Sequence, residues 1–472
     1  MGSLELFLPE ATVLVGALVA FVLAILRVPQ RIAWGAATVF GIASVVMTAV
    51  YLNASGEPFF AGIYRVDALS QLLKLGITGS LALTLLVGRD LASFRVSTRV
   101  DVPIFLFFAT LGMMALVSAT ELLTLYVSLE LSAYALYVIA ALQRRERMGS
   151  EVAAKYVLYG AAASAISLYG ISLIYGSAGS TYLSAIMQTT MSPVFAVGIL
   201  LALCGVFFKL AVFPFHAWAP DTYEGAPHEA VAFIGTASKV AAVGLLVRIV
   251  LFAAPAGEAI TIALLVLSVL SMTIGNLAAI RQHDLKRLLA WSTVAHAGYL
   301  LIGLSTMSTV GVASGLFYVV TYVPIVFAPF VVVCVLGRDG SNPTKASIAG
   351  LYQRSPLLAF TLLVGMFGLA GIPPTAGFVG KWFLFSAAIE KGFYWLVIVA
   401  ALNATVSLYY YLLIVKEAYL TPATDASEVR MSGAAQAAAC VVVVAAIAFG
   451  SFPRHVWEAC EAAARAAFAV AG

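Results

Sequence analysis

FFKLAVFPFHAWAPDTYEGAP, residues 207–227, begins as a membrane helix and then stops being one. Residues 194–208 are almost wholly apolar or small, but a lysine, Lys209, follows at membrane depth and Pro214 comes five residues later. Proline cannot donate a backbone hydrogen bond and clashes with the preceding turn, so a helix break is predicted there. A buried ammonium and freed carbonyls both need polar partners inside a bilayer. The segment therefore predicts an ion path, with a snorkelling lysine beside a proline kink as the alternative.

Composition places the whole chain in a membrane. The 472 residues are 62% hydrophobic and 10% charged, and apolar runs of about 20 residues, the length that crosses a bilayer, recur throughout. The first run, Ala11–Leu26, lacks a basic segment ahead of it, so it is predicted to be a span rather than a cleaved signal. The net charge of +4 comes mostly from loop arginines, so no nucleic-acid partner is expected.

An all-α polytopic fold of fourteen spans is predicted. The spans lie at about 10–27, 32–52, 69–88, 102–119, 121–141, 153–176, 192–214, 229–252, 258–280, 286–304, 308–337, 356–390, 393–417 and 432–452. Span 7 is expected to continue as a short second half after Pro214. Spans 11 and 12 are expected to break at Pro324 and around Pro373–Pro374.

Basic residues divide unevenly between the two sides of this arrangement. One set of connections holds Arg27, Arg31, Arg89, Arg95, Arg99, Arg144, Arg145, Arg147, Arg281, Lys286, Arg287, Arg338, Lys345, Arg354, Lys416 and Arg430. The opposite set holds only Arg65, Lys74, Lys391, Arg454 and Arg465. Because cytoplasmic loops carry the excess of basic residues, both termini are predicted to lie outside the cytoplasm.

An internal repeat relates two of the predicted breaks. At an offset of 159, residues 208–214 align with residues 367–373, five spans later. An odd displacement inverts the second copy in the membrane, and paired interrupted helices in inverted repeats point to a transport site. A chance coincidence of prolines and small residues in apolar sequence is the alternative.

Several charges remain inside the predicted spans. The basic ones are Lys155, Lys209, Lys239, Arg248 and Lys381. Glu130 is the notable buried acid, with Tyr126 and Tyr134 one helical turn away on either side. A lone carboxylate in a membrane is costly unless it is paired or protonated, so a span-7 lysine is its expected partner.

These residue types can carry a proton relay. Burial disfavours a charged lysine and a nearby carboxylate favours it, so moving Glu130 by a few ångströms would load or unload Lys209. Lys209, Lys239 and Lys381 are predicted to form the relay. His216 and His296 titrate near physiological pH and could bridge gaps, with a hydrogen-bonded core histidine as the alternative for His296.

For the other charged residues in or near the spans, the sequence gives an expected position or two alternative roles. Arg248, four residues from the end of span 8, is expected to snorkel. Lys155 could snorkel or join the relay. The acidic segment Asp221–His228 could be a proton entrance on the cytoplasmic side, or it could cap the start of span 8.

No cofactor or metal is expected on this chain. Its four cysteines, at positions 204, 334, 440 and 460, include no C-x-x-C pair, which argues against iron–sulfur and zinc sites. No dinucleotide fingerprint follows a strand, no Walker loop is present, and the five histidines contain no H-x-x-x-H pair.

Together these motifs resemble the antiporter-like subunits of respiratory complex I over nearly the whole chain. The resemblance is carried by SLELSAY around Glu130, FKLAVFPFHAWAPDTYEGAP from Phe208, SKV around Lys239, DLKRLLAWSTVAHAGY from Asp284 and GIPPTAGFVGK from Gly371. It implies two inverted five-helix repeats, spans 4–8 and 9–13. The implied domains are residues 1–101, 102–252, 253–417 and 418–472, the last holding span 14 and a tail.

The resemblance also implies a function. A subunit of this kind is a proton-translocating part of an NADH–quinone oxidoreductase in the bacterial plasma membrane, driven by quinone reduction in other subunits. NADH, FMN, iron–sulfur clusters and quinone would then bind to partner subunits, and neighbouring antiporter-like subunits would be direct partners. The implied functional residues are Glu130, Lys209, Lys239, Lys381, His216, His296 and Lys155.

Branches of the family differ at Lys381 and at the chain end. Subunit M of complex I, and a similar component of multisubunit sodium/proton antiporters, usually carry glutamate at that position, and subunit L continues into a long lateral helix. This chain has lysine there and ends about twenty residues after span 14; its LPEA and RVDALS segments resemble subunit N. A cation/proton antiporter component and a component of a membrane-bound hydrogenase-type complex are the alternatives. A purely structural spacer is disfavoured by the buried charges.

Overall fold

The computed structural model describes residues 5–88, 93–143, 146–252, 257–423 and 427–471, and α-helices dominate them. The first ten are α1 (Leu8–Ile25), α2 (Gln30–Val50), α3 (Ala68–Val87), α4 (Val102–Ser118), α5 (Leu122–Ala141), α6 (Glu146–Ala178), α7 (Leu183–Ile186), α8 (Pro193–Leu210), α9 (Trp218–Gly225) and α10 (His228–Phe252). The rest are α11 (Gly257–Ile280), α12 (Leu285–Ser305), α13 (Thr309–Leu336), α14 (Lys345–Ile348), α15 (Leu351–Arg354), α16 (Pro356–Ala370), α17 (Ala376–Glu390), α18 (Tyr394–Tyr419), α19 (Gly433–Ser451) and α20 (Arg454–Ala471).

The predicted all-α membrane fold is confirmed. Twelve of the described helices are long and apolar enough to cross a membrane, and α4 and α16 are shorter apolar helices. The count of fourteen spans depends on those two and stays a prediction, as do the four domain boundaries. Of the loop arginines used for orientation, Arg89, Arg144 and Arg145 lie outside the described residues.

The first break lies where the sequence predicts it, but it starts before the proline. Helix α8 ends at Leu210, and Ala211 adopts a left-handed conformation with φ 60°. The backbone N–H of Val212 donates to Phe207 O, which completes a C-terminal cap of the helix. Pro214 lies in the turn that follows, and the short helix α9 is the predicted second half of the span.

The second break repeats this geometry. Helix α16 ends at Ala370, Gly371 has φ 85°, and the N–H of Ile372 donates to Phe367 O. A left-handed residue at this cap favours glycine, which has no Cβ to clash. These caps align Ala211 with Gly371. The alignment from the sequence pattern, which placed Val212 opposite Gly371, is therefore wrong by one residue.

The predicted break at Pro324 is also wrong. Helix α13 runs without interruption through Pro324 and Pro329. Neighbouring helices can compensate a proline inside a buried membrane helix, and α16 lies close enough that a Cβ at Gly365 would be 2.6 Å from Pro329 Cδ. Proline alone therefore does not mark a break in this chain. At each of the two real breaks, a residue in the left-handed conformation ends the helix before the proline.

Arg248 does not snorkel. Its side chain is 3% exposed, and its Nη2 donates to Asp67 Oδ2 at 3.0 Å and to Val117 O at 2.8 Å. Asp67 is the N-cap of α3, and Val117 lies in the last turn of α4. The expectation failed because two other helix ends supply a carboxylate and a carbonyl at the depth of the guanidinium.

Two lysines assigned to loops are buried. Lys74 lies inside α3 with its Nζ 2.6 Å from Glu10 Oε1, and Tyr64 also donates a hydrogen bond to Glu10. Lys286 lies in the first turn of α12 and donates to Ala226 O at 2.7 Å and to Asn342 Oδ1 at 3.1 Å. Lys74 pairs with an acid on another helix and Lys286 bonds to two connecting segments, so neither side chain reaches solvent.

The C-terminal tail forms helix α20, which the sequence pattern did not predict. Its buried side includes Cys460 and a row of alanines, and it packs against α3, α10 and α13. Its exposed side carries the ion pairs Arg454–Glu458 and Arg465–Glu461, both four residues apart. Such a helix lies along a surface, so a search for uniformly apolar spans does not find it.

Candidate functional site

The first broken helix brings two of the predicted lysines together. Lys209 is buried in the last turn of α8, where its Nζ donates to Ser132 Oγ at 2.5 Å and to Leu129 O at 3.4 Å on α5. Lys239 lies in the middle of α10 and donates to Lys209 O at 2.9 Å. Its ammonium also lies 5.3 Å from the ring centroid of Trp218 on α9. A carbonyl at the end of the broken helix and an aromatic face thus hold the second ammonium.

The second broken helix holds its lysine in the same way. Lys381 on α17 donates to Leu369 O at 3.0 Å and to Ala370 O at 2.8 Å, the last carbonyls of α16. Its ammonium lies 4.9 Å from the ring centroid of Tyr299. Under the alignment of Ala211 with Gly371, Leu369 O is the counterpart of Lys209 O. Equivalent carbonyls at the two breaks therefore each accept a hydrogen bond from a buried lysine.

Glu130 and Lys209 approach the same turn of α5 but bond to different partners. The Glu130 carboxylate accepts a hydrogen bond from Ser164 on α6. Lys209 bonds to Ser132 and Leu129 instead, and the ion pairs among the described residues do not include Glu130 with Lys209. The predicted titration of this pair as a unit is not tested by these contacts. It stays a prediction, with the pair open in this structure.

His296 lies between the two breaks. Its Nδ1 is 2.5 Å from Tyr318 OH and its Nε2 is 3.1 Å from Tyr411 OH, so both ring nitrogens are engaged. A cavity of about 20 Å³ lies between His296 and Lys239 and is also lined by Thr293 and Tyr322. A second cavity of about 10 Å³ is lined by His296 and reaches Gly368 and Gly377 at the second break. The histidine thus joins the cavity of one lysine to the break that holds the other.

His216 and Lys155 lie away from this row. His216 is in the turn between α8 and α9, with its ring centroid 5.3 Å from those of Phe213 and Trp291. Lys155 is 41% exposed at its side chain and forms ion pairs with Asp221 at 3.0 Å and Glu151 at 2.9 Å. Neither side chain contacts Lys209, Lys239 or Lys381 in the described contacts. Their participation in a relay stays a prediction.

Two comparisons of sequence place this arrangement among known proteins. The family described as NADH:quinone oxidoreductase/Mrp antiporter, transmembrane, matches residues 119–407. NADH-quinone oxidoreductase subunit N 2 of Syntrophobacter fumaroxidans is 44% identical over 436 residues, covering 90% of this chain and 92% of that protein. The chain belongs to the subunit N branch of this family. NADH-quinone oxidoreductase subunit N 2 of Opitutus terrae is 41% identical over 463 residues, with 95% of each chain covered.

Solved structures agree with this family. A chain of respiratory complex I from Thermus thermophilus with bound aureothin has 32% identity and a TM-score of 0.84, covering 95% of this chain and 98% of its own. A chain of the Mrp complex from Dietzia has a TM-score of 0.85 and complete coverage of both chains at 21% identity. At that identity the likeness to the Mrp chain is one of fold alone.

In this subunit N branch member, sequence reasoning missed the hydroxyl groups of the site. Ser132 bonds to Lys209, Ser164 bonds to Glu130, and Tyr318 and Tyr411 bond to His296. Thr293 and Tyr322 bond to each other beside the cavity. Ser132 stands two residues from Glu130 in the quoted SLELSAY motif, so a signal was present. The tyrosines come from α13 and α18, and nothing in the sequence relates their depth to that of His296.

The acidic segment after the first break bridges helices rather than capping α10. Asp221 and Glu224 lie on α9, and Arg287 Nη1 donates to both, at 3.0 Å and 2.5 Å. Asp221 also pairs with Lys155 on α6. The alternative in which these acids cap the start of span 8 is therefore wrong. Nearby, burial raises the pKa of Asp284, the N-cap of α12, although Asn342 donates to its carboxylate at 2.7 Å.

Within the described part of the chain, His, Cys, Asp and Glu side chains form no group of three or more that could hold a metal ion. The charged residues of the site are instead bound to carbonyls, hydroxyls and aromatic faces. Such partners can hold a charge or a proton, and the cavity between His296 and Lys239 has room for about one water molecule. The chemistry that this arrangement can support is proton transfer.

Proposed function

We propose that this chain is a proton-translocating membrane subunit of an NADH–quinone oxidoreductase, equivalent to subunit N, in a bacterial plasma membrane. The observation that carries the proposal is the repeated geometry at the two breaks. Each has a buried lysine on a carbonyl at the end of a broken helix, and His296 lies between them. The uneven basic residues of the loops favour an orientation with both termini outside the cytoplasm.

Proton movement would follow the row of charged groups. Lys209 exchanges its proton with Lys239 as the distance to Glu130 changes, because a nearby carboxylate favours the charged lysine. Water in the cavity beside Thr293 would connect Lys239 with His296. Lys381 would then receive the proton at the second break and release it outside. His216 and Lys155 would act at the edges of this path.

Redox chemistry would occur on other subunits. No cofactor site is proposed on this chain; NADH, FMN, iron–sulfur clusters and quinone would bind to its partners. Neighbouring antiporter-like subunits and the lipid bilayer would surround its exposed helices. A change at the quinone-binding partner would reach this chain through those contacts and shift the distance between Glu130 and Lys209.

Replacing Lys239 by methionine tests the function. Inverted membrane vesicles containing the assembled complex are supplied with NADH, and quinone reduction and proton uptake are measured together. We expect Lys239→Met to lower the protons moved per electron while the complex still assembles. Lys391→Met is the matched control, since Lys391 is exposed at the end of α17. An unchanged ratio of protons to electrons in the Lys239 variant would refute the proposed path.

A further inference from the structure

A second group of buried polar residues lies at the amino end of α10, away from the relay. Glu229 is 6% exposed and His228 is 1% exposed, although both stand at the start of a helix. Ser93 Oγ donates to Glu229 Oε2 at 2.7 Å, and the N–H of His228 donates to the same Ser93 Oγ at 3.2 Å. The fully buried Lys286 lies nearby and bonds to Ala226 O and Asn342. The relay uses none of these residues.

The ring of His228 is buried without a well-formed hydrogen bond. Its ring lies against the backbone of Gly337, and neither ring nitrogen has a hydrogen-bond partner of normal geometry among the described residues. Buried polar atoms of this kind are normally satisfied, by water where protein offers no partner. His228 and Glu229 are consecutive residues at the start of α10. This end of the helix lies on the side of the membrane to which most of the basic loop residues are assigned.

Two buried hydroxyls, those of Tyr223 and Thr293, lie between this group and Lys239. The Tyr223 hydroxyl lies beside Gly235 of α10, where an added Cβ would be 3.2 Å from it. Gly235 is about 9 Å along the helix axis from Glu229, at 1.5 Å per residue. That hydroxyl is buried, faces Thr293, and forms no hydrogen bond of normal geometry with a described residue. Thr293 lines the cavity that contains Lys239.

We propose that Glu229, with His228 beside it, is a proton-loading site through which protons enter from the cytoplasmic side and pass by Tyr223 and Thr293 to Lys239. This inference rests on the proposed function and adds its inlet. Glu229 takes a proton from bulk water and releases it to water beside Tyr223, so no bond other than O–H is made or broken. Burial disfavours the charged carboxylate, whereas the Ser93 hydroxyl and the nearby Lys286 ammonium favour it.

The groups that face Glu229 set when it loads. The charged or titratable ones on the elements packed around it are His228, Lys286, Cys334, Arg99, Asp284 and Asp339. Lys286 is the buried cation among them, and its ammonium stays on Ala226 O and Asn342 rather than on the carboxylate. Glu229 is therefore free to exchange a proton without breaking an ion pair.

The test compares Glu229→Gln with the wild type in inverted vesicles, whose outer medium contacts the cytoplasmic face. Glutamine keeps the shape and can still bond to Ser93, but it cannot carry a proton. We expect proton uptake per electron through this chain to fall about tenfold or more in mildly alkaline medium, a loss typical of removing a positioned proton carrier. Glu229→Asp should retain part of the activity, and small weak acids added to the medium should restore part of it.

Three further variants separate an inlet from a structural role. Glu428→Gln makes the same charge change at an exposed position of a loop assigned to the same face and should pump normally. Ser93→Ala removes the hydrogen bond but leaves the carboxyl, so assembled complex should still pump. Tyr223→Phe removes only the hydroxyl of the path and should slow uptake.

The results for Glu229→Gln and Lys239→Met distinguish failure of the inlet from failure of the proposed function. If Lys239→Met loses pumping while Glu229→Gln pumps normally per assembled complex, the inlet is overturned and the proposed function stands. If Glu229→Gln lowers complex abundance and pumping in equal proportion, Glu229 is only structural and the inlet is again overturned. If neither variant alters pumping, the proposed function itself fails. Loss in Glu229→Gln with rescue by weak acids supports the inlet.

Discussion

At the scale of single residues, two serines bond to Glu130 and Lys209 in place of a direct ion pair between these charges. Ser132 accepts from Lys209, and Ser164 donates to Glu130. Each hydroxyl keeps its charged partner bonded while the two charges stay apart, so opening the pair does not leave a buried charge unsolvated. Glu130 and Ser132 are on the same turn of α5, so a modest rotation of that helix or of a side chain could close the pair.

Glu130→Gln is the sharpest test of this switch. Glutamine keeps the size and the hydrogen bond to Ser164 but removes the charge that modulates Lys209. We expect pumping per electron to fall roughly tenfold or more in the part contributed by this chain, with assembled complex near the wild-type amount. Glu130→Asp, shorter by one methylene, should keep part of the activity. Intact pumping, or equal losses of pumping and complex, would show that Glu130 does not switch Lys209.

At the scale of helices, one buried ion pair links the start of α3 to α10. Asp67 caps α3 by accepting from the N–H of Ser70 and also binds Arg248 of α10. The same arginine bonds to the end of α4 through Val117 O. One guanidinium therefore sets α3, α4 and α10 in register, and α10 also carries Lys239. An error in that register would move the lysine away from the end of α8.

Arg248→Met should destabilise the protein and Asp67→Asn should rescue it. Removing one partner of a buried pair costs about 3–5 kcal/mol because the other charge remains, whereas removing both can be nearly neutral. Asparagine still caps α3, so the double variant loses charge without losing the cap. The thermal midpoint of the detergent-solubilised complex, followed by fluorescence of the tagged chain, measures this. A double variant no more stable than Arg248→Met would mean that the charge of Asp67 is not the cause.

The sequence predicted the elements better than the contacts between them. Both breaks could be located from the sequence because a lysine, a proline and small residues occur close together there. Each of these features destabilises an apolar membrane helix. The sequence pattern misplaced Arg248 and Lys74, since whether a charged side chain is paired depends on the depth and rotation of helices far away in sequence. Pro324 misled for the same reason: its surroundings, not its own chemistry, decide whether α13 continues.

At the scale of the whole molecule, α20 joins the two halves on one surface. It packs against α3 and α10 of the first half and against α13 of the second. Trp457 anchors it, with its ring centroid 4.2 Å from that of Phe383 on α17 and 6.3 Å from that of Phe317 on α13. Helix α17 also carries Lys381, so α20 packs directly against the helix that follows the second break.

Trp457→Ala should therefore loosen the link without touching the proton path. The ring is only partly buried, so we expect a loss of about 1–3 kcal/mol, in the ordinary range for a point substitution that removes a packed contact. The thermal midpoint of the solubilised complex should fall, while complexes kept below that temperature should pump as the wild type does. His455→Ala, whose side chain is 91% exposed two residues earlier on the same helix, is the control and should change neither quantity. Equal midpoints for Trp457→Ala and His455→Ala would show that α20 is held by its alanine face alone. Reduced pumping by the stable Trp457 variant would instead mean that α20 sets the position of Lys381.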